Sequence, residues 1–158
     1  LLKTADRDAL ALGCIGRPAL TFGGLIAQAE ATVAALNSRG IGRNDRVAIV
    51  LPNGPEMASV FLSVGCGATT APLNPAYREE EFDFYLSDLN AKALLVAHGS
   101  TTSARDAART RNIPVLEIEW AEEDPAGTFR IRTRKVMTRN RLRISVNVCT
   151  TAVEIVGQ

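Results

Sequence analysis

The chain has 158 residues, 46% of them hydrophobic and 22% charged, with a net charge of +1. That length and balance exclude a disordered polymer and fit one ordinary domain able to bury a core. No apolar run reaches membrane-spanning length, and the opening LLKTADRDAL carries acids where a secretory signal needs a basic start; the expectation is a cytoplasmic protein with no membrane span.

In chain order, ALGCIGRPALTF predicts two short strands around Gly16-Arg17-Pro18, a hairpin. From Phe22 to Arg39, Leu25, Ala29, Val33 and Leu36 recur at helical spacing, with Thr21 as a cap and Gly40 at the left-handed position after the end. RVAIVL, residues 46–51, is continuously apolar with β-branched members and reads as a strand covered on both faces. It empties through Pro52-Asn53-Gly54-Pro55 into a second helix, whose expected apolar stripe is Met57, Val60, Phe61 and Val64 and which ends at Gly65-Cys66-Gly67.

TTAPL, residues 69–73, is a short strand candidate. The helix that follows has Phe82, Tyr85, Leu86 and Leu89 at helical spacing, Glu79, Glu80 and Glu81 in its first turn, and Asn90 near its end. AKALLVA is the next buried strand, Ser103 is expected to cap a short polar helix from Ala104 to Asn112, and Pro114 opens the strand VLEIE. Strands and helices thus alternate from about residue 46 to residue 119, which predicts an α/β fold with a mainly parallel, doubly wound sheet and right-handed crossovers. Further on, LRISVNV places Leu142, Ile144, Val146 and Val148 on one face, the pattern of a half-buried strand.

Charge is unevenly spread. Residues 1–129 hold 11 basic and 16 acidic side chains, whereas residues 130–158 hold 7 basic and 1 acidic. The shift follows the turn-like EEDPAGTF and places an expected division between a domain at residues 1–125 and a basic extension at 126–158. Cys14, Cys66 and Cys149 are too scattered for a disulfide framework or a zinc site and are expected to be buried as small hydrophobes.

Chemistry-bearing motifs are few. There is no G-x-x-x-x-G-K-[ST] and no G-x-G-x-x-G after a strand. His98 is the only histidine; it follows a strand beside several hydroxyls, and a loop histidine is preferred to a catalytic base. GSTTS, residues 99–103, lacks inner glycines and a following lysine, so a polar loop ending in a helix cap is preferred to a phosphate cradle. The glutamates 79–81 point to different faces of a helix and read as compensation of its dipole, not as metal ligands. The turn at Pro52–Pro55 has the shape of an anion site, a strand running into a helix N-terminus. Glu56 brings negative charge to it and the two prolines remove two N–H donors, so a structural corner is expected and Gly54→Val should harm folding. No residue is assigned a catalytic, cofactor-binding or metal-binding role.

Residues 20–96 carry a resemblance. Leu20-Thr21-Phe22-Gly23-Gly24-Leu25, the run from Asn44-Asp45 to Glu56, the run from Gly67-Ala68 to Glu79, and Ala91 to Leu94 are similar, in order and content, to the N-terminal portion of the AMP-forming adenylating enzymes, the acyl-CoA synthetase superfamily. LPNGPEM and APLNPAYREEEFDFYLSDLNAKAL most resemble its oxalate–CoA and 4-coumarate–CoA ligase-like branch.

The resemblance implies ATP-dependent joining of a small carboxylic acid to coenzyme A through an acyl-adenylate, with ATP, magnesium and coenzyme A as cofactors of the full-length enzyme. It also implies that the phosphate-binding loop ending in Pro-Lys-Gly and the lysine of the mobile C-terminal domain belong after the matched region. Neither occurs in this sequence. The expectation is an N-terminal fragment, from a truncation, a shifted frame or an excision, that is not competent alone. Two other readings are carried. The basic tail could contact nucleic acid or an acidic partner, although no nucleic-acid-binding motif accompanies it. An uncovered sheet edge could drive self-association.

Overall fold

The computed structural model describes residues 6–132. Strands β1 (Leu10–Cys14) and β2 (Arg17–Thr21) form the expected antiparallel hairpin, with Gly16 at a φ of 81° in the turn. Thr21 then caps α1 (Phe22–Asn37), its hydroxyl accepting the Gly24 N–H at 3.2 Å. The helix stops short of the expected Arg39, and Gly40 sits beyond it at a φ of 70°.

From there β3 (Arg46–Val50), α2 (Pro55–Gly65), β4 (Thr69–Pro72), α3 (Glu79–Asp88), β5 (Ala93–Ala97), α4 (Ala104–Thr110) and β6 (Val115–Glu119) alternate as the sequence predicts. A short β7 (Arg130–Ile131) closes the set. The sheet order is β4-β3-β5-β6-β7, parallel except for β7 against β6.

Two cores follow from the pleat, because successive side chains of a strand face opposite sides. Val47 and Ile49 of β3, with Ala93 and Leu95 of β5, pack with Leu36 of α1 and Val60 and Val64 of α2. Ala48 and Val50, with Leu94 and Val96, pack with Phe82 and Leu86 of α3 and the small face Ala104, Ala107 and Ala108 of α4. This two-sided cover is why the central strands read as unbroken apolar runs.

Four expectations are corrected. The buried side of α2 is Glu56, Ser59, Val60, Ser63 and Val64, while Phe61 is 43% exposed. Periodicity in apolar residues misplaces that stripe because small hydroxyls, not large hydrophobes, form the inner side of the helix. Cys14 and Cys66 are exposed and free, at the end of a hairpin strand and at a helix C-terminus. Ser103 makes no cap: its backbone is already helical and its hydroxyl donates to the Tyr77 carbonyl at 3.3 Å, while Thr102 Oγ1 accepts the Ala104 N–H at 3.3 Å. Gly54 is extended, with a φ of 163°, and an added Cβ there would meet only Glu56 Oε2 at 3.8 Å, so the turn does not require glycine.

Beyond residue 125, Ala126 and Phe129 are buried, Phe129 within the α1/α2-side core, and the Ala126 N–H donates to Pro18 O at 2.8 Å. Residues 126–132 therefore pack on the same body as the residues before them. The strand expected at 142–148, Cys149 and most of the basic run lie outside the described residues.

Gly127 is the glycine the fold needs. Its φ is 84°, and a Cβ would come within 2.9 Å of Pro55 O and 3.1 Å of Ser59 Cβ. Gly127→Ala should lower unfolding stability by about 1–3 kcal/mol through strain and collision, whereas Gly54→Ala should change it by less than about 1 kcal/mol. Urea unfolding of both variants checks this.

Candidate functional site

In an open α/β sheet, ligands sit outside the carboxyl ends of the strands where the strand order reverses. Here that point lies between β3 and β5: the chain leaves β3 toward β4 through α2 on one face, then crosses back to β5 through α3 on the other. Two loops flank the crevice, Leu51–Gly54 after β3 and His98–Ser103 after β5. These are the same two stretches that the sequence singles out.

The first loop delivers Glu56 to the N-terminus of α2. Glu56 is 8% exposed, and its Oε1 lies 2.6 Å from Arg17 Nη1 and accepts the Gly127 N–H at 3.2 Å. Arg17 spends its remaining donors on the carbonyls of Ala121, Asp124 and Pro125, at 3.2–3.3 Å. A carboxylate held at the positive end of a helix by a guanidinium and a backbone amide occupies the position a phosphate would take. The turn therefore has a structural use, in joining Glu56 to Arg17 and Gly127. The sequence places Arg17 only in a hairpin; the one sequence signal for the pair is an acid in the first turn of an apolar helix, which needs a partner when buried.

The second loop consumes its own polar groups. Ser100 Oγ donates to Ala97 O at 2.8 Å, and the Thr102 and Ser103 hydroxyls are used as described. His98 is exposed, with Nδ1 2.9 Å from Glu117 Oε2. Glu117 Oε1 also receives Arg105 Nη1 at 2.6 Å, and Arg105 Nη2 donates to Ala97 O at 3.0 Å. Hydrogen bonds from His98 and then Arg105 hold the Glu117 carboxyl below its ordinary pKa, against its partial burial. This three-residue hydrogen-bond network, with Arg105 and Glu117 as its ion pair, ties α4 to β5 and β6, and among the described residues no hydroxyl or thiol is hydrogen-bonded to His98 within it.

Elsewhere, the glutamates 79–81 are exposed in the first turn of α3, where Glu81 Oε2 accepts the Arg78 N–H at 2.9 Å. Among the described residues no group of three or more His, Cys, Asp and Glu side chains could hold a metal ion, and no helix is long and apolar enough to cross a membrane. Of the basic run, Arg132 pairs with Glu119 at 2.7 Å. A groove of about 620 Å³ lies at the opposite, amino-terminal end of the strands, lined in part by Arg39, Lys92 and Arg111. Of these, Arg39 donates to the Ala35 carbonyl near the end of α1 and Arg111 pairs with Asp83 of α3.

Neither crevice loop contains lysine or arginine, and the two arginines reaching toward them are committed. The described residues around the crevice thus do not by themselves fit a magnesium-bound triphosphate.

Comparison with known proteins decides the family. The model of the family described as AMP-binding enzyme matches residues 2–143. The chain belongs to the AMP-binding enzyme family. It is 40% identical over 119 residues to the protein named Probable CoA ligase CCL9 of Humulus lupulus, an alignment covering 72% of this chain and 22% of that protein. It is 42% identical over 108 residues to an oxalate–CoA ligase of Arabidopsis thaliana, covering 67% and 21%. Apo MatB from Rhodopseudomonas palustris shares the fold with a TM-score of 0.65 at 23% identity, over 73% of this chain and 24% of that one. This AMP-binding chain therefore spans about a fifth of the length of the curated relatives it matches, and it corresponds to their N-terminal region.

Because Glu117 has a folded pKa below its unfolded value, the stability it contributes is complete above the unfolded value and is lost as pH falls through the folded one. Glu117→Gln should lower stability at neutral pH by up to about 1 kcal/mol and flatten the acid limb of the stability–pH curve. Chemical unfolding at a series of pH values from neutral into the carboxylate range measures both effects.

Proposed function

We propose that this chain is the N-terminal scaffold of an ATP-dependent carboxylic acid–CoA ligase acting in the cytoplasm, and that it is not catalytically competent alone. The observation that carries the reading is the use of the polar groups at the strand ends: Glu56 is paired with Arg17, and Ser100 and Ser103 donate to nearby carbonyls. The names of the two curated relatives above, both CoA ligases, supply the reaction class.

In the complete enzyme a small carboxylic acid displaces pyrophosphate from ATP to give the acyl-adenylate, and the thiol of coenzyme A then displaces AMP to give the thioester. ATP and magnesium would be held by parts of the ligase outside these residues. This chain's own side chains fix the geometry of the strand ends: Arg17 and Glu56 anchor the start of α2, and Glu117 anchors α4. Preorganised positions of this kind are what positional and electrostatic catalysis depends on.

The isolated chain should neither bind Mg·ATP in a calorimetric titration nor form acyl-CoA in a coupled assay with small carboxylic acids; turnover would contradict the claim of incompetence. As a second measurement, residues 6–132 grafted in place of the matching segment of the Arabidopsis ligase should give an active chimera. A folded but inactive chimera would count against the scaffold reading.

A further inference from the structure

Three helices end in the same way at the amino-terminal end of the parallel strands. The Ile41 N–H donates to Leu36 O at 3.1 Å after α1, the Ala91 N–H to Leu86 O at 3.1 Å after α3, and the Ile113 N–H to Ala108 O at 2.8 Å after α4. The residue before each donor is left-handed: Gly40, Asn90 and Asn112, at φ of 70°, 46° and 56°. In this closing turn the last carbonyls of a helix are taken by amides of its own following loop. Glycine serves the left-handed position most easily, and asparagine at two of the three adds a side-chain amide there.

These turns wall the groove of about 620 Å³ at that end of the sheet, a volume in the range of small-molecule sites. Its floor is apolar, with Ile41, Leu86 and Leu116 all buried. Its rim carries Arg39 after α1, Lys92 ahead of β5 and Arg111 after α4, together with Asn90 and Asn112, and none of its described lining residues is an acid. Over residues 1–129 acids outnumber bases 16 to 11, so a groove with three cations and no carboxylate runs against the charge of the domain around it. Among the described residues Arg39 and Lys92 enter no salt bridge, and Arg39 spends only Nη1, on Ala35 O and Ser38 Oγ. Arg111 is shared with Asp83, at 2.6 and 2.7 Å. Free carbonyls at a helix C-terminus would repel an anion, but the Leu36, Leu86 and Ala108 carbonyls are occupied by loop amides.

We propose that this groove is a binding site for a small phosphate monoester with an apolar body. The phosphate is held by Arg39, Lys92 and Arg111, and the body lies on Ile41, Leu86 and Leu116. Three cations from three connections suit a dianion with three acceptor oxygens better than a carboxylate with two. The turns that carry them are fixed by their own hydrogen bonds, so little ordering is lost on binding. The site stands at the opposite end of the strands from the crevice between β3 and β5, and it does not rest on the ligase reading.

The test titrates the whole 158-residue chain with phenyl phosphate, inorganic phosphate and benzoate, read by calorimetry and by backbone amide shifts. Phenyl phosphate should bind about tenfold more tightly than either of the others and should move the amides of Asn90, Lys92 and Asn112. Lys92→Gln and Arg39→Gln should each weaken it about tenfold at an unchanged melting temperature, whereas Arg130→Gln, at the carboxyl end of β6, should not. AMP that competes for the same shifts would support the site with a nucleotide as the source of the phosphate. Phenyl phosphate binding that AMP leaves untouched would support it with a smaller ester. No binding at millimolar phenyl phosphate, shifts confined to residues 51–54 and 98–103, or equal weakening by Arg130→Gln would overturn the proposal. So would benzoate binding as tightly as phenyl phosphate.

Discussion

One ion pair organises this domain. Arg17 and Glu56 lie 39 positions apart, on a hairpin and at the start of a helix, and their side chains are 11% and 10% exposed at a separation of 2.6 Å. Neither charge could be desolvated alone at tolerable cost; removing one partner of such a pair typically costs about 3–5 kcal/mol because the other is left buried. The pair also recruits backbone. Arg17 satisfies three carbonyls of the stretch that returns from β6, and Glu56 accepts the amide of Gly127, whose left-handed conformation and crowded Cβ position bring that stretch against α2. The hairpin, the second helix and the approach to β7 are thereby fastened at one point.

That fastening also occupies the polar groups near the start of α2, beside strand ends that have the outline of a ligand site. The turn after β3 has the geometry of an anion-binding corner, but its helix dipole is already answered by a carboxylate. Around β5 the same economy holds, with hydroxyls returned to nearby carbonyls and the imidazole turned toward Glu117. The two helical layers of the domain differ in charge: α3 and α4 carry eight charged side chains, whereas α1 and α2 carry one acid each.

Much of the architecture was legible in residue patterns. The apolar runs 46–50 and 93–97 are central strands because both faces are covered, and the 3.6-residue spacing of Phe82 and Leu86 reports one buried side of α3. The motifs from Leu20 to Leu94 carry the family resemblance in sequence alone. What escaped has a common cause: it depends on partners distant in sequence or on small polar residues. Ser59 and Ser63 line the inner side of α2 although periodicity favours Phe61. Glu117 meets His98 and Arg105 only because β5, β6 and α4 are neighbours. Gly54 stands in a turn motif yet is dispensable to its backbone, whereas EEDPAGTF reads as a turn without showing that Gly127 is the residue it depends on.

The central claim is that Glu56 serves the structure of this corner as the partner of Arg17. A double-mutant cycle of Arg17→Met and Glu56→Gln, read by urea unfolding at neutral pH, measures that partnership directly. The account predicts that each single change is strongly destabilising and that the double variant loses clearly less than the sum, with a coupling of about 1–3 kcal/mol. Additive losses, or two single variants as stable as the parent, would contradict it.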